Sequence, residues 1–197
     1  MHHYAPLVFN SWEGLVFWAV FVWAFLPEMN LSHRAARPRG TKSQDAGTIG
    51  IIFLGNATAI FAAFVLAYLP RTVMPYPHIH LFLGTGMIAA GSLLRRWCWR
   101  VLGKHFTGNV VVVPDQPVID RGPYRLVRHP SYTAGIAMLA GIGVAVNNWL
   151  SLAVILIETC LVYGHRVRVE ERALVATLGE PYRAYMARTK RFIPHVL

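Results

Sequence analysis

The sequence predicts an all-α fold: a polytopic membrane bundle of about five spans, the last two forming a short helical hairpin, with a polar site on the cytoplasmic side. Three observations predict it. Apolar residues make up 55% of the 197 residues and charged ones only 14%. The apolar residues come in long runs, and a membrane-crossing helix needs about 20 of them for about 30 Å of hydrocarbon. The basic residues fall almost entirely in alternate loops. A net charge of +10 suits a nucleic-acid binder, but a soluble basic domain mixes its charge along the chain, so nucleic acid is excluded as a partner. The two cysteines, Cys98 and Cys160, make neither a disulfide framework nor a CxxC zinc pair, and no metal site is expected.

The first run, Leu7 to Leu26, carries Glu13 as its one charge. It lacks Lys or Arg before its apolar stretch and is too long for a cleaved signal peptide, so it reads as an anchor. Thr48 to Leu69 carries no charge. Ile79 to Leu94 is shorter, and Gly84, Gly86, Ala89, Ala90 and Gly91 make it a close-packing helix. Tyr132 to Val146 and Trp149 to Tyr163 flank Asn147-Asn148. Each reaches about 22 Å as a helix. The pair is a hairpin that either stops short of crossing or spans with tilted or thinned surroundings. No internal repeat suggests a transporter built from inverted halves.

Positive charge orients the bundle. Arg34, Arg37, Arg39 and Lys42 lie in the first loop, and Arg71 alone in the second. The third loop holds seven basic residues between Arg95 and Arg128, and the tail holds seven between Arg166 and Arg191. The positive-inside rule makes the side carrying 18 of the 19 basic residues cytoplasmic. The amino terminus is then outside and the carboxyl terminus inside, which five spans satisfy. The same charge favours anionic membrane lipid.

The unusual polar residues gather on that side. Val110 to Val113 reads as a short extended stretch, and Pro114-Asp115 and Asp120-Arg121-Gly122-Pro123 as turns. Tyr124 to Tyr132 then leads into an apolar helix, with Pro130 at its first position and His129 as its cap. The amides of Ser131 and Tyr132 would point out of the helix start and suit an anion; a plain helix entry fits the same residues. Arg166 and Glu170 share a helix face four residues apart. They read either as a surface ion pair or, if the helix continues the fifth span, as a pair at the membrane boundary. There Arg166 would hold an anionic group, and Glu170 hydroxyls or an ammonium. Gly179 to Met186 gives a helix break and a new aromatic helix, followed by Phe192, Ile193 and Pro194 as a cover or an interfacial anchor. Glu158, inside a span, is a functional candidate by position and otherwise a hydrogen-bonded link between helices.

Gly122-Pro-Tyr124, four residues, His129-Pro-Ser-Tyr132, a hairpin, Arg166-x-x-x-Glu170-Glu171 and Gly179-Glu-x-Tyr182-x-x-Tyr185 together resemble the isoprenylcysteine carboxyl methyltransferase family over roughly residues 100 to 194. The resemblance implies an integral membrane enzyme that moves methyl from S-adenosylmethionine to the carboxylate of a prenylated cysteine. It assigns Gln116, Pro117, Val118, Ile119, Tyr124, His129, Pro130, Ser131, Tyr132 and Glu170 to the cofactor. It assigns Arg166 to the substrate and to catalysis. The family commonly begins the stretch before Gly-x-Tyr with a His, where this sequence has Gln116. Residues 1–197 form one integral membrane domain on this reading. Two spans and their loops occupy 1–78; the third span and the methyltransferase core occupy 79–197. The acceptor is lipid-like or prenylated. A phospholipid-amine or small-thiol methyltransferase, an NADPH-dependent membrane sterol reductase and a non-enzymatic scaffold are the alternatives.

The charge count makes a direct prediction. A tag at the amino terminus is accessible from outside the cell and a tag after Leu197 only from inside. Both tags reacting on one side would contradict an odd number of spans.

Overall fold

The computed structural model describes residues 5–34, 47–103, 106 and 116–194. Its helices are α1 (Leu7–Asn10), α2 (Trp12–Arg34), α3 (Thr48–Leu66), α4 (Pro77–Leu102), α5 (Pro130–Ala145), α6 (Trp149–Leu178) and α7 (Glu180–Arg188). Short 3-10 turns cover Pro70–Thr72 and Gly122–Arg125. Among the described residues no strand forms, so the predicted all-α bundle is the observed fold. Four helices, α2, α3, α4 and α6, are long and apolar enough to cross a membrane, and α5 is a shorter apolar helix. The stretch Val110 to Val113 and the turn at Pro114-Asp115 lie outside the described residues.

Several boundaries differ from the expected ones: α2 runs on to Arg34, and α3 ends at Leu66, three residues before Leu69. The first run is not one helix. Ser11 breaks it, its hydroxyl donating to the Leu7 carbonyl at 2.8 Å and accepting from the Gly14 amide at 3.1 Å. The third span continues to Leu102, a turn or two beyond its apolar run. The hairpin is unequal: α5 has 16 residues, whereas α6 has 30 and runs past Tyr163 without a break. At 1.5 Å per residue α6 is about 45 Å long, twice the reach expected from its apolar run. Leu, Ala, Val and Arg are good enough helix formers to carry it through the charged segment, and Gly179, at a positive φ of 61° that glycine adopts without a Cβ clash, ends it.

The bundle is assembled around α5. This helix is apolar on all sides and buried on nearly all of them, packing mainly on α4 and also on α6 and α3. Lipid is as apolar as leucine, so close packing has to replace the hydrophobic effect between helices. Gly84 of α4 and Gly141 of α5 supply the closest approach. A Cβ at Gly141 would come within 2.7 Å of the Gly84 carbonyl, and a Cβ at Gly84 would collide with the Gly141 carbonyl in turn.

The Asn147-Asn148 turn pins the far end. Asn147 takes φ 58°, a conformation Asn tolerates well. Its amide donates to the Met74 carbonyl at 2.9 Å, and its oxygen lies 2.8 Å from His80 Nδ1. Asn148 caps α6 by accepting from the Leu150 and Ser151 amides, and it donates to the Thr72 hydroxyl at 2.8 Å and the Leu66 carbonyl at 3.2 Å. The turn thus satisfies backbone groups at the end of α3, at the start of α6 and at Met74, which hydrocarbon could not do.

Glu158 does not make the interhelical hydrogen bond expected of it. One carboxylate oxygen is 3.5 Å from its neighbour Thr159; the other is buried against Gly55 without a hydrogen-bond partner.

The α4–α5 contact is open to test. Gly141→Val should destabilise the bundle by about 1–3 kcal/mol through overpacking. Gly86→Ala, where an added Cβ meets nothing, should hold or raise stability. Thermal melts in detergent compare the two.

Candidate active site

The site begins where the chain re-enters the bundle. Gly122 adopts φ 58°, and the turn it starts buries Pro123 and Tyr124. The Tyr185 hydroxyl of α7 donates to the Tyr124 carbonyl at 2.6 Å. Burial pushes the Tyr185 phenol up to about 12 and holds Tyr124 and Tyr182 well above the usual phenol range, so all three are neutral near pH 7.

Helix α5 then starts at Pro130 with His129 in the capping position, as expected. The His129 side chain does not cap it. It turns to Glu171 of α6, with Nε2 3.2 Å from the carboxylate. The amide expectation also needs correcting: Tyr132 N–H donates to the His129 carbonyl at 3.0 Å and does not point out of the helix start. Glu171 is the centre of this region. It also accepts from Arg128 Nε at 3.0 Å and from Arg191 Nη2 at 2.7 Å. The chain after α7 completes the arrangement, because the Arg128 and His129 amides donate to the Lys190 and Arg191 carbonyls at 2.7 and 2.9 Å. Arg128 Nη1 reaches the Met186 carbonyl at 2.9 Å and the Thr189 carbonyl. Thr133 donates to the Phe192 carbonyl at 2.9 Å, and the Phe192 ring stands 6.2 Å from that of His129.

A second polar chain lies deeper. The Tyr132 hydroxyl donates to Glu170 at 2.8 Å and accepts from Arg166 Nε at 3.1 Å. Tyr132 therefore sits between the two residues that share a face of α6. Arg166 is buried at 3% exposure, which removes the surface ion-pair reading, and it also donates to the Thr48 hydroxyl at the start of α3. Beside them Arg95 of α4 pairs with Glu28 of α2 and donates to the Ser131 carbonyl at 2.7 Å.

These groups line one cavity of about 480 Å³. Gln116, Pro117, Val118, Ile119, Tyr124, His129, Ser131, Tyr132, Arg166 and Glu170 all face it. Pro130 does not; it is buried at the helix start and shapes the entry only. Three features of the wall escaped sequence reasoning. Arg128 and Arg95 looked like topology charges, and Glu28 lay just past the first apolar run. A charge at the end of an apolar run signals either the membrane boundary or a site, and only a partner on another helix separates the two. The remaining wall is apolar, with Phe21 and Phe25 from α2, Ile52, Phe53 and Ile60 from α3, and Met138 and Leu139 from α5. Asn56 and Tyr163 stand among these, the Asn56 amide 3.4 Å from the Tyr163 hydroxyl. The cavity is thus polar at one end and greasy at the other.

Comparison with known proteins agrees with the motifs. Residues 83–176 match the model of the isoprenylcysteine carboxyl methyltransferase family. That segment, just under half of the chain, is similar to this family. The match begins inside α4 and ends inside α6, so the motif of α7 lies beyond it. The chain is 26% identical over 57% of its length to protein-S-isoprenylcysteine O-methyltransferase B of Arabidopsis thaliana, covering 58% of that protein. It is 27% identical over 59% of its length to the cobalt-zinc-cadmium resistance protein CzcN of Cupriavidus metallidurans, covering 50% of it. The chain spans about half the length of the curated relatives it matches. In fold it is similar to a solved eukaryotic intramembrane Ras methyltransferase, with a TM-score of 0.59 at 20% identity, covering 74% of this chain and 52% of that one. The apolar helices and the family match together support an integral membrane protein.

The Glu171 cluster divides into buried and exposed partners. Side chains of Glu171 and Arg128 are 6% and 9% exposed, that of Arg191 46%. Glu171→Ala should therefore cost about 3–5 kcal/mol by stranding a buried guanidinium. Arg191→Ala should cost about 1 kcal/mol or less. Unfolding in detergent measures both, and equal losses would mean that Arg128 is not held by Glu171.

Proposed function

We propose that the chain transfers a methyl group from S-adenosylmethionine to a lipid-like acceptor, the carboxylate of an isoprenylated cysteine or an analogue. The observation that carries this reading is the Arg166–Tyr132–Glu170 chain inside a cavity with one polar and one apolar end. A water-soluble donor and a lipid acceptor need such a place to meet. The family match and the named methyltransferase relatives support the same chemistry.

The residues present fit the donor. The cavity falls in the range of about 300–1,000 Å³ typical of small-molecule sites. Glu170 keeps acceptor capacity beyond its bond from Tyr132 and can take ribose hydroxyls or an ammonium. Tyr124 and the stretch Gln116, Pro117, Val118 and Ile119 wall the polar end, and His129, Pro130 and Ser131 set the helix entry beside it. When bound, S-adenosylmethionine supplies an electrophilic methyl on a sulfonium sulfur.

The chain's own part is positioning. A carboxylate acceptor is already ionised at pH 7, so no general base is required. Arg166 presents its guanidinium to the acceptor anion, and Tyr132 and Thr48 fix its orientation. Two groups held in attack geometry, away from water, gain most of what catalysis needs here. Phe21, Phe25 and Ile52 give an acceptor chain an apolar wall. Residues 1–78 therefore contribute to one domain with residues 79–197, through Glu28, Thr48 and Asn56 as well. The charge distribution supports a cytoplasmic polar end and carboxyl terminus, with the amino terminus outside.

Arg166 and Glu170 should separate in kinetics. Glu170→Ala should weaken donor binding about ten- to a hundredfold, the effect of a lost charged hydrogen bond. Arg166→Ala should leave donor affinity nearly unchanged and slow methyl transfer to a carboxylate acceptor. Arg166→Lys should restore only part, since a point charge lacks the planar fork. Calorimetry with S-adenosylmethionine beside acceptor kinetics reads both effects, with thermal melts as the folding control. A wild-type rate for Arg166→Ala on a carboxylate would move the assignment to an amine or thiol acceptor.

A further inference from the structure

A second concavity lies outside the cavity described above, on the opposite side of Glu171. It is an open groove of about 770 Å³ between α6, α7 and the chain that follows. Arg168 and Arg172 of α6, Arg183 of α7 and Arg191 line it around Val175 and Met186. Arg168 and Arg172 are four residues apart on one helix face and both exposed. Like charges at that spacing repel, and among the described residues neither has a carboxylate partner. Two carboxylates belong to the neighbourhood. Glu171 at the groove wall is already occupied by Arg128, His129 and Arg191, and Glu180 stands 3.9 Å from Arg183 on the exposed surface. The groove is therefore net positive, with donors spread over three segments.

Its depth identifies the anion. Trp149 begins α6 and is 58% exposed, as a residue at the far membrane interface would be. From Trp149 to Arg168 is 19 residues, or about 28 Å of helix. That nearly equals the hydrocarbon thickness of about 30 Å. Arg168 thus emerges at headgroup depth, and Arg172 one turn beyond it. Ile193, two residues after Arg191, is 47% exposed and adds an apolar residue to the segment after α7.

We propose that this arginine groove binds the phosphate of an anionic phospholipid headgroup. Arg168 and Arg172 take the phosphate, and Arg183 and Arg191 close the other side of the groove. The proposal goes beyond methyl transfer and does not depend on it. Glu171 joins the groove to the start of α5, because the same carboxylate accepts from Arg191 and meets His129.

The test uses the full chain in detergent micelles doped with phosphatidylglycerol or, at equal mole fraction, phosphatidylcholine. Phosphatidylglycerol should raise the melting temperature and phosphatidylcholine should not. The double variant Arg168→Gln/Arg172→Gln should melt like the wild type without added lipid and bind phosphatidylglycerol about thirtyfold more weakly, the effect of two interfacial charges. Arg183→Gln, on a different helix, should weaken binding in the same direction, and supplies the comparison if the double variant does not fold. An unchanged response to phosphatidylglycerol in folded variants overturns the proposal. So does an equal shift from inorganic phosphate at matched concentration, which would make the site one for free anions. A shift from a polyglutamate peptide with none from phosphatidylglycerol would make the groove a protein-docking surface instead.

Discussion

The Glu171 carboxylate holds together parts of the chain that the membrane bundle alone would leave apart. Helices in lipid pack through shape, but the segments around the start of α5 and the end of α7 have no such packing to rely on. Glu171 gathers Arg128 and His129 from the start of α5 and Arg191 from the chain after α7 onto α6. A buried carboxylate is costly unless its lone pairs are filled by cations or strong donors. Here they are filled from three directions, so the same interaction fixes the entry of α5, the return of the tail and the wall of the cavity. Backbone bonds from Arg128 and His129 to Lys190 and Arg191 reinforce it.

The adjacent glutamate does different work because of helical geometry. Glu170 and Glu171 are about 100° apart around α6. Glu171 therefore turns to Arg128, His129 and Arg191 while Glu170 turns to Tyr132 and the cavity. Tyr132 converts an i,i+4 pair on one helix into a contact between α5 and α6, and Arg166 extends it to α3 through Thr48. The ion pair of Arg95 with Glu28 brings in α4 and α2 at the same depth. Every long helix thus contributes a polar side chain to one layer, below which the cavity is walled by Phe, Ile, Met and Leu.

The far end of the bundle limits how these helices can move. Asn147 and Asn148 satisfy the backbone at the end of α3, at Met74 and at the start of α6, and bond the Thr72 hydroxyl, without a charge. Gly84 and Gly141 bring α4 and α5 into backbone contact midway. A cavity between α2, α3, α5 and α6 is thereby left beside a tightly packed α4–α5 pair, which gives the site one rigid wall.

Composition, run length and charge placement by themselves determined the all-α membrane fold, and the order and spacing of the Gly-Pro-Tyr, His-Pro-Ser-Tyr and Arg-x-x-x-Glu-Glu motifs pointed to the family whose model residues 83–176 match. Those features are local, or periodic, and survive without knowledge of neighbours. Ten of the residues assigned from the motifs line the cavity, whereas Pro130 serves only the helix start. The tertiary structure decided which partner each polar residue takes. His129 faces Glu171 instead of capping its own helix, Tyr132 bonds both Arg166 and Glu170, and Arg95 meets Glu28. These contacts join residues 34 to 67 positions apart. A charge at the end of an apolar run has the same appearance in sequence whether it faces water or a carboxylate on another helix. Only the packing of α2, α4, α5 and α6 around one another tells the two apart.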